Sequence, residues 1–233
     1  MLTVDLHRSH LIGILRNMYS DLVLRSILGF KGGTAAMLFY DLPRFSVDLD
    51  FDLLDPDKKQ AVMTRLAALL PAFGTLIEAT EKRFTLFFLL NYRKGQRNLK
   101  IEISKRPSGS TFTPRPYLGI SMLVMTQEDM AANKLAALLT RKRLATRDIF
   151  DVWFFLKNQW PINDRLVQEK TGMPIGIALE KAQNKIKNVK KTELLAGLGE
   201  LLDTPKKTWA RDHLIEDTIF QLRLYRESLK GNL

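Results

Sequence analysis

Residues 31–52 read KGGTAAMLFYDLPRFSVDLDFD, and the end of this stretch sets the chemistry of the chain. From Ser46 onward, polar and apolar residues alternate strictly, and three of the polar ones are Asp48, Asp50 and Asp52. Side chains alternate between the two faces of a β-strand, so the pattern predicts one buried apolar face and one face of carboxylates. Carboxylates two residues apart lie only about 6–7 Å from each other, and their repulsion favours a bound cation such as Mg²⁺. A solvated acidic face is the alternative, although Asp is depleted in strands.

The first part of the stretch fits a phosphate-binding turn. Gly32-Gly33-Thr34 separates the strand-like residues 27–30 from residues 35–40, which have a helical pattern. Glycines before a helix let backbone N–H groups approach an anion, and Thr34 is the predicted N-cap, with a hydroxyl that could equally contact phosphate. By itself this triplet is more often a simple turn. Together with the acids it predicts a phosphate cradle beside a metal site.

The combination KGGTA…LPRFSVDLDF resembles the DNA polymerase β-like nucleotidyltransferase superfamily and, within it, the AbiEii/MenT toxins of type IV toxin–antitoxin systems. With the two motifs described below, the resemblance covers roughly the first two-thirds of the chain. It implies transfer of a nucleoside monophosphate from an NTP, with Mg²⁺ or Mn²⁺ as cofactor and Asp48 and Asp50 as metal ligands. The nucleotide contacts that it implies in this stretch are Lys31, Gly32, Gly33, Thr34 and Ser46.

A predicted hairpin supplies a third carboxylate. Residues 84–92 and 98–104 are strand-like on either side of a Lys-Gly-Gln turn, and Glu102 lies on the polar face of the second strand. A lone Glu on such a face is usually only solvated. The resemblance, however, implies a third metal ligand from a strand beside the Asp-x-Asp strand, and Glu102 is the candidate. Three carboxylates from two strands can hold two ions about 3.5–4 Å apart, as in-line displacement at phosphorus requires.

The same hairpin is strongly basic. Between residues 82 and 106 the only acid is Glu102. The basic residues are Lys82, Arg83, Arg93, Lys94, Arg97, Lys100, Lys105 and Arg106. A solvated edge strand protected by lysine explains the pattern as well as contact with a nucleic-acid backbone does, so both interpretations stay open.

Two further motifs lie in a helical region. Residues 127–140 form a predicted helix in which NKLAALLTRKR resembles the family's Lys-Leu-x-Ala element, which implies that Lys134 contacts the nucleotide phosphates. Residues 147–151, RDIFD, resemble the Arg-Asp-x-x-Asp element. This implies that the carboxylate of Asp148 or Asp151 serves as an acceptor-activating base or orients Lys134. Asp148 is preferred for this catalytic role, and Asp151 is expected at the nucleotide site. Simple capping of a helix N-terminus by these acids is the alternative.

The predicted fold is α+β (α/β), with a nucleotidyltransferase-like lobe over residues 1–125 and a helical lobe over 126–233 that completes the nucleotide cleft. Helices are predicted in the first lobe at 9–28 and 58–70, a hinge loop at 106–116 and a final strand at 120–125. Beyond residue 160 the pattern is helical throughout. The segments predicted there are 163–170, 175–187, 192–202 and 205–229.

Composition limits the kinds of binding partner and metal site that the chain can have. The net charge is +11 with a pI near 9.8, which favours a polyanionic partner. The chain has no cysteine, which excludes disulfides and thiolate metal sites, and its three histidines are interpreted as packing or surface residues. We expect no signal peptide, no membrane partner and a cytoplasmic location, because the N-terminus is polar and no apolar run has the 18 residues of a membrane span.

The resemblance therefore implies a toxin that adds nucleotides to an RNA such as the tRNA 3′ end and is restrained by a separate antitoxin protein. A small molecule (such as an antibiotic) or a protein hydroxyl is the alternative acceptor. A catalytically inactive module that binds nucleotide or a partner is a second alternative. A third is an antitoxin-like enzyme that acts on a partner toxin, which the long helical lobe and the RFSVDLDF match disfavour.

Overall fold

The structure, a computed structural model, describes residues 2–231 and divides into two compact units. One unit holds the residues up to Asp41 together with Phe45–Thr126, and contains the sheet. The other holds Leu42–Arg44 together with the residues from Gln127 onward, and is helical. This mixed architecture confirms the α+β class expected from the sequence.

The sheet unit is built from four helices and seven strands within residues 2–126. The helices are α1 (Val4–Ser20), α2 (Leu24–Ile27), α3 (Gly32–Phe39) and α4 (Lys59–Leu69). The strands are β1 (Leu28–Lys31), β2 (Leu49–Leu53), β3 (Thr75–Glu81), β4 (Thr85–Asn91), β5 (Leu99–Ser104), β6 (Phe112–Tyr117) and β7 (Ile120–Met125). They form one sheet in the order β3-β4-β5-β2-β1-β7-β6. Strand β2 is parallel to β5, β1 is parallel to β7, and the other neighbours are antiparallel.

Alternation places the core of this unit. Leu49 and Phe51 of β2 and Ile101 and Ile103 of β5 are fully buried, while Glu102 between the last two is half-exposed. Each large apolar side chain buried in this way contributes roughly 1.5–3 kcal/mol. The hydrophobic pattern of β2 and β5 therefore fixes which face of these strands carries polar side chains.

The helical unit contains α5 (Gln127–Thr140), α6 (Thr146–Lys157), α7 (Asp164–Thr171), α8 (Ile175–Lys187) and α9 (Thr204–Gly231). Local signals explain some of the ends. At the start of α7 the Asn163 side chain accepts a hydrogen bond from Leu166 N–H, and Gly172 ends the helix with a left-handed φ of 71°. Lys185 of α8 donates to the carbonyls of Leu139 and Arg141 at the end of α5, so this lysine connects the two helices.

Three local predictions were wrong, and one strand was missed. The helix predicted over 9–28 is two helices, because the Asp21 carboxylate accepts from the N–H groups of Val23 and Leu24 and starts a new turn. The predicted hinge loop at 106–116 contains most of β6, an edge strand that tolerates its two prolines because one side needs no ladder hydrogen bonds. Residues 192–202 form short 3₁₀ turns with Gly197 at φ 70°, and strand β3 was not predicted.

Candidate active site

The acidic strand places its carboxylates at the centre of the sheet. Strand β2 begins at Leu49, so Ser46 and Asp48 lie in the segment that leads into it, and both are buried. The bulk-solvated alternative does not describe this segment, since Asp48 is only 8% and Asp52 only 2% exposed. Buried carboxylates require a compensating charge or hydrogen bonds.

Glu102 lies directly beside Asp50. The two residues are register partners in the parallel pair β2–β5, on neighbouring strands that run about 4.8 Å apart. Paired residues point to the same face of a sheet, and both are half-buried. The strand pairing therefore brings together two of the three proposed metal ligands.

Asp52 is compensated from within the chain. The Lys31 ammonium forms an ion pair with one oxygen of Asp52, and the other oxygen is buried without a hydrogen-bond partner. Lys31, expected to contact nucleotide, thus neutralises a carboxylate in this structure, with 27% of its side chain exposed.

Asp48 is compensated in a similar, incomplete way. One carboxylate oxygen lies 3.2 Å from the Lys100 ammonium, whereas Oδ1 is buried and has no hydrogen-bond partner. Oxygen donors of this kind suit hard cations such as Mg²⁺ or Mn²⁺. Within residues 2–231 no three His, Cys, Asp or Glu side chains form a ready-made metal cage. Mg²⁺ commonly needs only one or two carboxylates beside water and substrate phosphates, so the donor set fits such an ion.

The glycine turn is the start of a helix. Strand β1 ends at Lys31 and α3 begins at Gly32, so Lys31 and not Thr34 occupies the N-cap position. The first N–H groups of a helix have no acceptor within it, which favours anions at this end. Gly33 is buried in this first turn, and the Thr34 hydroxyl donates to the carbonyl of Asp48. The N-cap prediction for Thr34 was therefore wrong, and its hydroxyl holds the acidic segment against α3.

Gly32 is required where the turn meets the acids. Its φ is +79°, and a Cβ added there would lie 2.5 Å from Oδ2 of Asp50. Any side chain would both strain the backbone and displace the carboxylate. Gly32 thus couples the helix N-terminus to the position of Asp50.

His7 supports the same segment from the other side. This fully buried ring makes two hydrogen bonds, Nε2 donating to the carbonyl of Val47 at 2.8 Å and Nδ1 lying 2.7 Å from the Tyr92 hydroxyl. Burial lowers the pKa of His7, which favours the neutral ring. The packing interpretation of His7 agrees with these contacts, although its link to the residue before Asp48 had no signal in the sequence.

In the helical unit a closed ion-pair network surrounds Lys134. Its ammonium lies 2.9 Å from Asp148 Oδ1 and 2.8 Å from Asp151 Oδ2. Arg141 pairs with the other oxygen of Asp148 at 2.6 Å, and Arg44 binds Asp151 in a bidentate manner at 2.6 and 2.8 Å. Both carboxylates are fully buried. Asp148 lies in the first turn of α6, where the capping alternative puts it, and its two oxygens bind Lys134 and Arg141.

Electrostatics keeps this network ionised. Burial alone would raise the pKa of Asp151, but Arg44 and Lys134 overcome that effect and hold the pKa at about 2. Burial likewise lowers the pKa of Lys134, and the two aspartates more than compensate, so the pKa lies above its ordinary value. Arg44 and Arg141 were not predicted as partners. Arg44 stands within the quoted LPRF motif, but nothing local links it to a residue 107 positions away.

The fold and the acidic site define the class of protein. The structure resembles that of a putative nucleotidyltransferase from Helicobacter pylori at TM-score 0.62 and 21% identity, covering 97% of this chain and 96% of the other. It also resembles JHP933 from Helicobacter pylori at TM-score 0.58 and 20% identity, covering 99% of each chain. At this identity the likenesses show the fold, which is that of a nucleotidyltransferase.

The family follows from the sequence itself. The model of the family described as "Nucleotidyl transferase AbiEii toxin, Type IV TA system" matches residues 13–212, so the chain belongs to the AbiEii nucleotidyltransferase toxins of type IV toxin–antitoxin systems. A more distant structure is MenT4, nucleotidyltransferase toxin Rv2826c of Mycobacterium tuberculosis H37Rv, at TM-score 0.48 and 18% identity over 95% of this chain and 99% of that one. No curated protein sequence matches significantly.

Membership of this family confirms the resemblance drawn from the motifs and implies an antitoxin as partner. No helix within residues 2–231 is long and apolar enough to cross a membrane.

Proposed function

We propose that this toxin transfers a nucleoside monophosphate from an NTP to a hydroxyl of an RNA, such as the 3′ end of a tRNA, in a Mg²⁺- or Mn²⁺-dependent reaction in the cytoplasm. One observation carries the proposal: Asp50 lies beside Glu102 and against Gly32 at a helix N-terminus. The Asp50 carboxylate thus lies next to both a second acid suited to a metal ion and a helix N-terminus suited to phosphate. The net charge of +11 supports a polyanionic acceptor.

Each part of the sheet unit has a proposed task. Asp48, Asp50 and Glu102 would hold the divalent cation, which neutralises phosphate charge as the reaction proceeds. The first turn of α3, with Gly32 and Gly33, binds the triphosphate through backbone N–H groups. Lys31 and the Ser46 hydroxyl are proposed to contact the nucleotide. Thr34 is proposed to act through its hydrogen bond to the Asp48 carbonyl.

The reaction is a substitution at phosphorus. The acceptor hydroxyl oxygen forms a bond to the α-phosphorus, the bond to the bridging β-oxygen breaks, and pyrophosphate leaves with that electron pair. The hydroxyl proton is released to solvent. Positioning and charge stabilisation supply most of the rate enhancement in phosphoryl chemistry of this type.

Lys134 is proposed to bind the nucleotide phosphates, as its motif implies. Both oxygens of Asp148 already accept hydrogen bonds from cations, as do those of Asp151. This favours a task for the two acids in orienting Lys134 over a task for Asp148 as base. The three cations and two carboxylates leave one net positive charge for an incoming phosphate.

Labelling in vitro tests the proposal. Purified protein is incubated with total tRNA, Mg²⁺ and each α-³²P NTP in turn, with Asp50→Asn beside the wild type. The matched control is Asp57→Asn, which removes an exposed carboxylate of the same unit. We expect labelled RNA from the wild type and the control, a loss of about 10³-fold in Asp50→Asn, and abolition by EDTA.

Equal labelling by wild type and Asp50→Asn would contradict the assigned site. Label in a protein or small-molecule fraction instead of RNA would support nucleotidyltransferase activity but contradict the proposed RNA acceptor.

A further inference from the structure

An exposed aromatic ring in contact with two arginines lies at the open end of the β4–β5 hairpin, opposite its turn. Phe84 is 40% exposed although it is a large apolar residue. The guanidinium carbon of Arg106 lies 4.1 Å from the centre of its ring, and that of Arg83 lies 4.8 Å away. Both arginines are exposed. We call these three residues the Arg83–Phe84–Arg106 cluster.

The charges of the cluster differ from those of its neighbours. Nearby lysines are compensated: Lys82 pairs with Glu78 at 3.4 Å, and Lys105 pairs with Glu81 at 2.6 Å. Among residues 2–231, no carboxylate lies within ion-pair distance of Arg83 or Arg106. The acids of β3 therefore neutralise the lysines and leave two positive charges on one aromatic ring.

The cluster is close to the acidic site in the same unit. Lys105 N–H donates to the carbonyl of Phe84 at 2.9 Å, which continues the pairing of β4 with β5. Glu102 pairs with Phe87, three residues along the strand, a distance of roughly 10 Å at 3.3 Å per residue. Because side chains three residues apart on a strand point to opposite faces, an RNA bound at the cluster would reach the carboxylates around the end of the hairpin.

We propose that the Arg83–Phe84–Arg106 cluster docks an unpaired nucleotide of the RNA acceptor, with a base stacked on the ring or on a guanidinium plane and the arginines paired with phosphate. This inference rests on the proposed function, since it assumes an RNA acceptor. Single-stranded RNA is recognised by stacking on aromatic rings and arginine planes together with phosphate contacts. Arginine suits both tasks, because its guanidinium group stacks and also binds phosphate in a bidentate manner.

RNA binding measured in the absence of the reaction tests the role of the Arg83–Phe84–Arg106 cluster. Fluorescence anisotropy with a labelled single-stranded oligoribonucleotide, in the absence of NTP, compares the wild type with Phe84→Leu and Phe84→Trp. Phe84→Leu keeps an apolar residue but removes the aromatic face, and we expect affinity to fall on the order of tenfold. Phe84→Trp restores the aromatic face and should bind like the wild type. The control is Phe220→Leu, at another exposed phenylalanine that is 59% exposed.

A second pair of variants tests the charges. Arg83→Gln with Arg106→Gln should reduce the slope of log affinity against log salt by roughly 1.4, at about 0.7 per phosphate on a single strand. Arg16→Gln with Arg25→Gln removes the same charge from two exposed arginines of the same unit and should change the slope little.

The outcomes separate the two proposals. Wild-type RNA labelling with unchanged binding by Phe84→Leu would overturn the docking inference and leave the proposed function standing. Absence of RNA binding and labelling by the wild type would overturn both. Loss of antitoxin binding by the cluster variants, with RNA binding retained, would assign the surface to the protein partner and overturn the inference.

Discussion

Two clusters of buried acids in this protein are compensated in different ways. In the sheet unit, Asp48 and Asp52 each have one buried carboxylate oxygen without a hydrogen-bond partner. In the helical unit, all four carboxylate oxygens of Asp148 and Asp151 accept hydrogen bonds from Lys134, Arg44 or Arg141. Carboxylates with unsatisfied oxygens are typical of a cation-binding site, whereas carboxylates with every oxygen hydrogen-bonded are typical of a structural role. The difference predicts opposite responses when charges are removed.

The largest effect is expected from breaking the complete network. Asp151→Asn leaves Arg44 buried without its bidentate partner, and removal of one partner from a buried ion pair typically costs about 3–5 kcal/mol. Chemical denaturation measures the free energy of unfolding. The control is Asp203→Asn, which removes an exposed carboxylate paired with Lys206 and should change stability little. Equal effects of both substitutions would show that the network contributes no more than a surface pair.

A smaller effect is expected where the glycine turn meets Asp50. Gly32→Ala strains a residue at φ +79° and places a methyl group 2.5 Å from the carboxylate, for a cost of about 2–3 kcal/mol. Gly95→Ala is the matched control, because its φ is +80° but nothing lies within 4 Å of the added atom. It should cost only about 1 kcal/mol of backbone strain. Nucleotidyl transfer should fall only in Gly32→Ala, and activity that is retained there would disprove the coupling.

The pH dependence of stability tests the complete network further. The pKa of Asp151 is about 2 in the folded protein, below its ordinary value of 3.8. A depressed pKa means that the stabilisation is fully present above pH 4 and is lost as the pH falls toward 2. We expect the wild type to lose about 2 kcal/mol over this window beyond any loss in Asp151→Asn. Parallel pH profiles of the two proteins would contradict the assignment.

The smallest expected effect has the opposite sign. Glu102→Gln removes a like charge directly beside Asp50 and should stabilise the fold by about 0.2–1 kcal/mol while it abolishes activity. Glu78→Gln, at a glutamate paired with Lys82 in the same sheet, should not stabilise the protein. Thermal melts together with the labelling assay measure both quantities. Destabilisation by Glu102→Gln would mean that the carboxylate is already compensated.

Much of the sheet unit was predictable from local patterns. Alternation in β5 (LKIEIS, Leu99–Ser104) and in the acidic strand predicted which faces are buried. The turn signal between β4 and β5 predicted their hairpin. Strand β3 was missed because most of its residues, TLIEATE, are exposed and its apolar signal is weak. Strand β6 was missed because Pro114 and Pro116 indicate a loop unless the strand is known to lie at an edge.

The candidate site was predictable to the extent that it depends on motifs. The motifs identified Lys134, Asp148 and Asp151. The two aspartates also pair with Arg44 and Arg141, which cannot be told apart by sequence from the surface arginines of a basic chain. Nor does any pattern show that Lys31 would neutralise Asp52. These ion pairs were not predicted because pairing between residues far apart in the chain leaves no periodic pattern in the sequence.

The assignment of Leu42–Arg44 to the helical unit has a consequence for dissecting the protein. A fragment cut at the apparent boundary near residue 126 would carry Asp151 but not Arg44, and so would contain a buried anion without its guanidinium partner. The helical unit is therefore discontinuous in sequence. Truncations should retain residues 42–44, because a 127–233 fragment lacks the guanidinium group that pairs with Asp151.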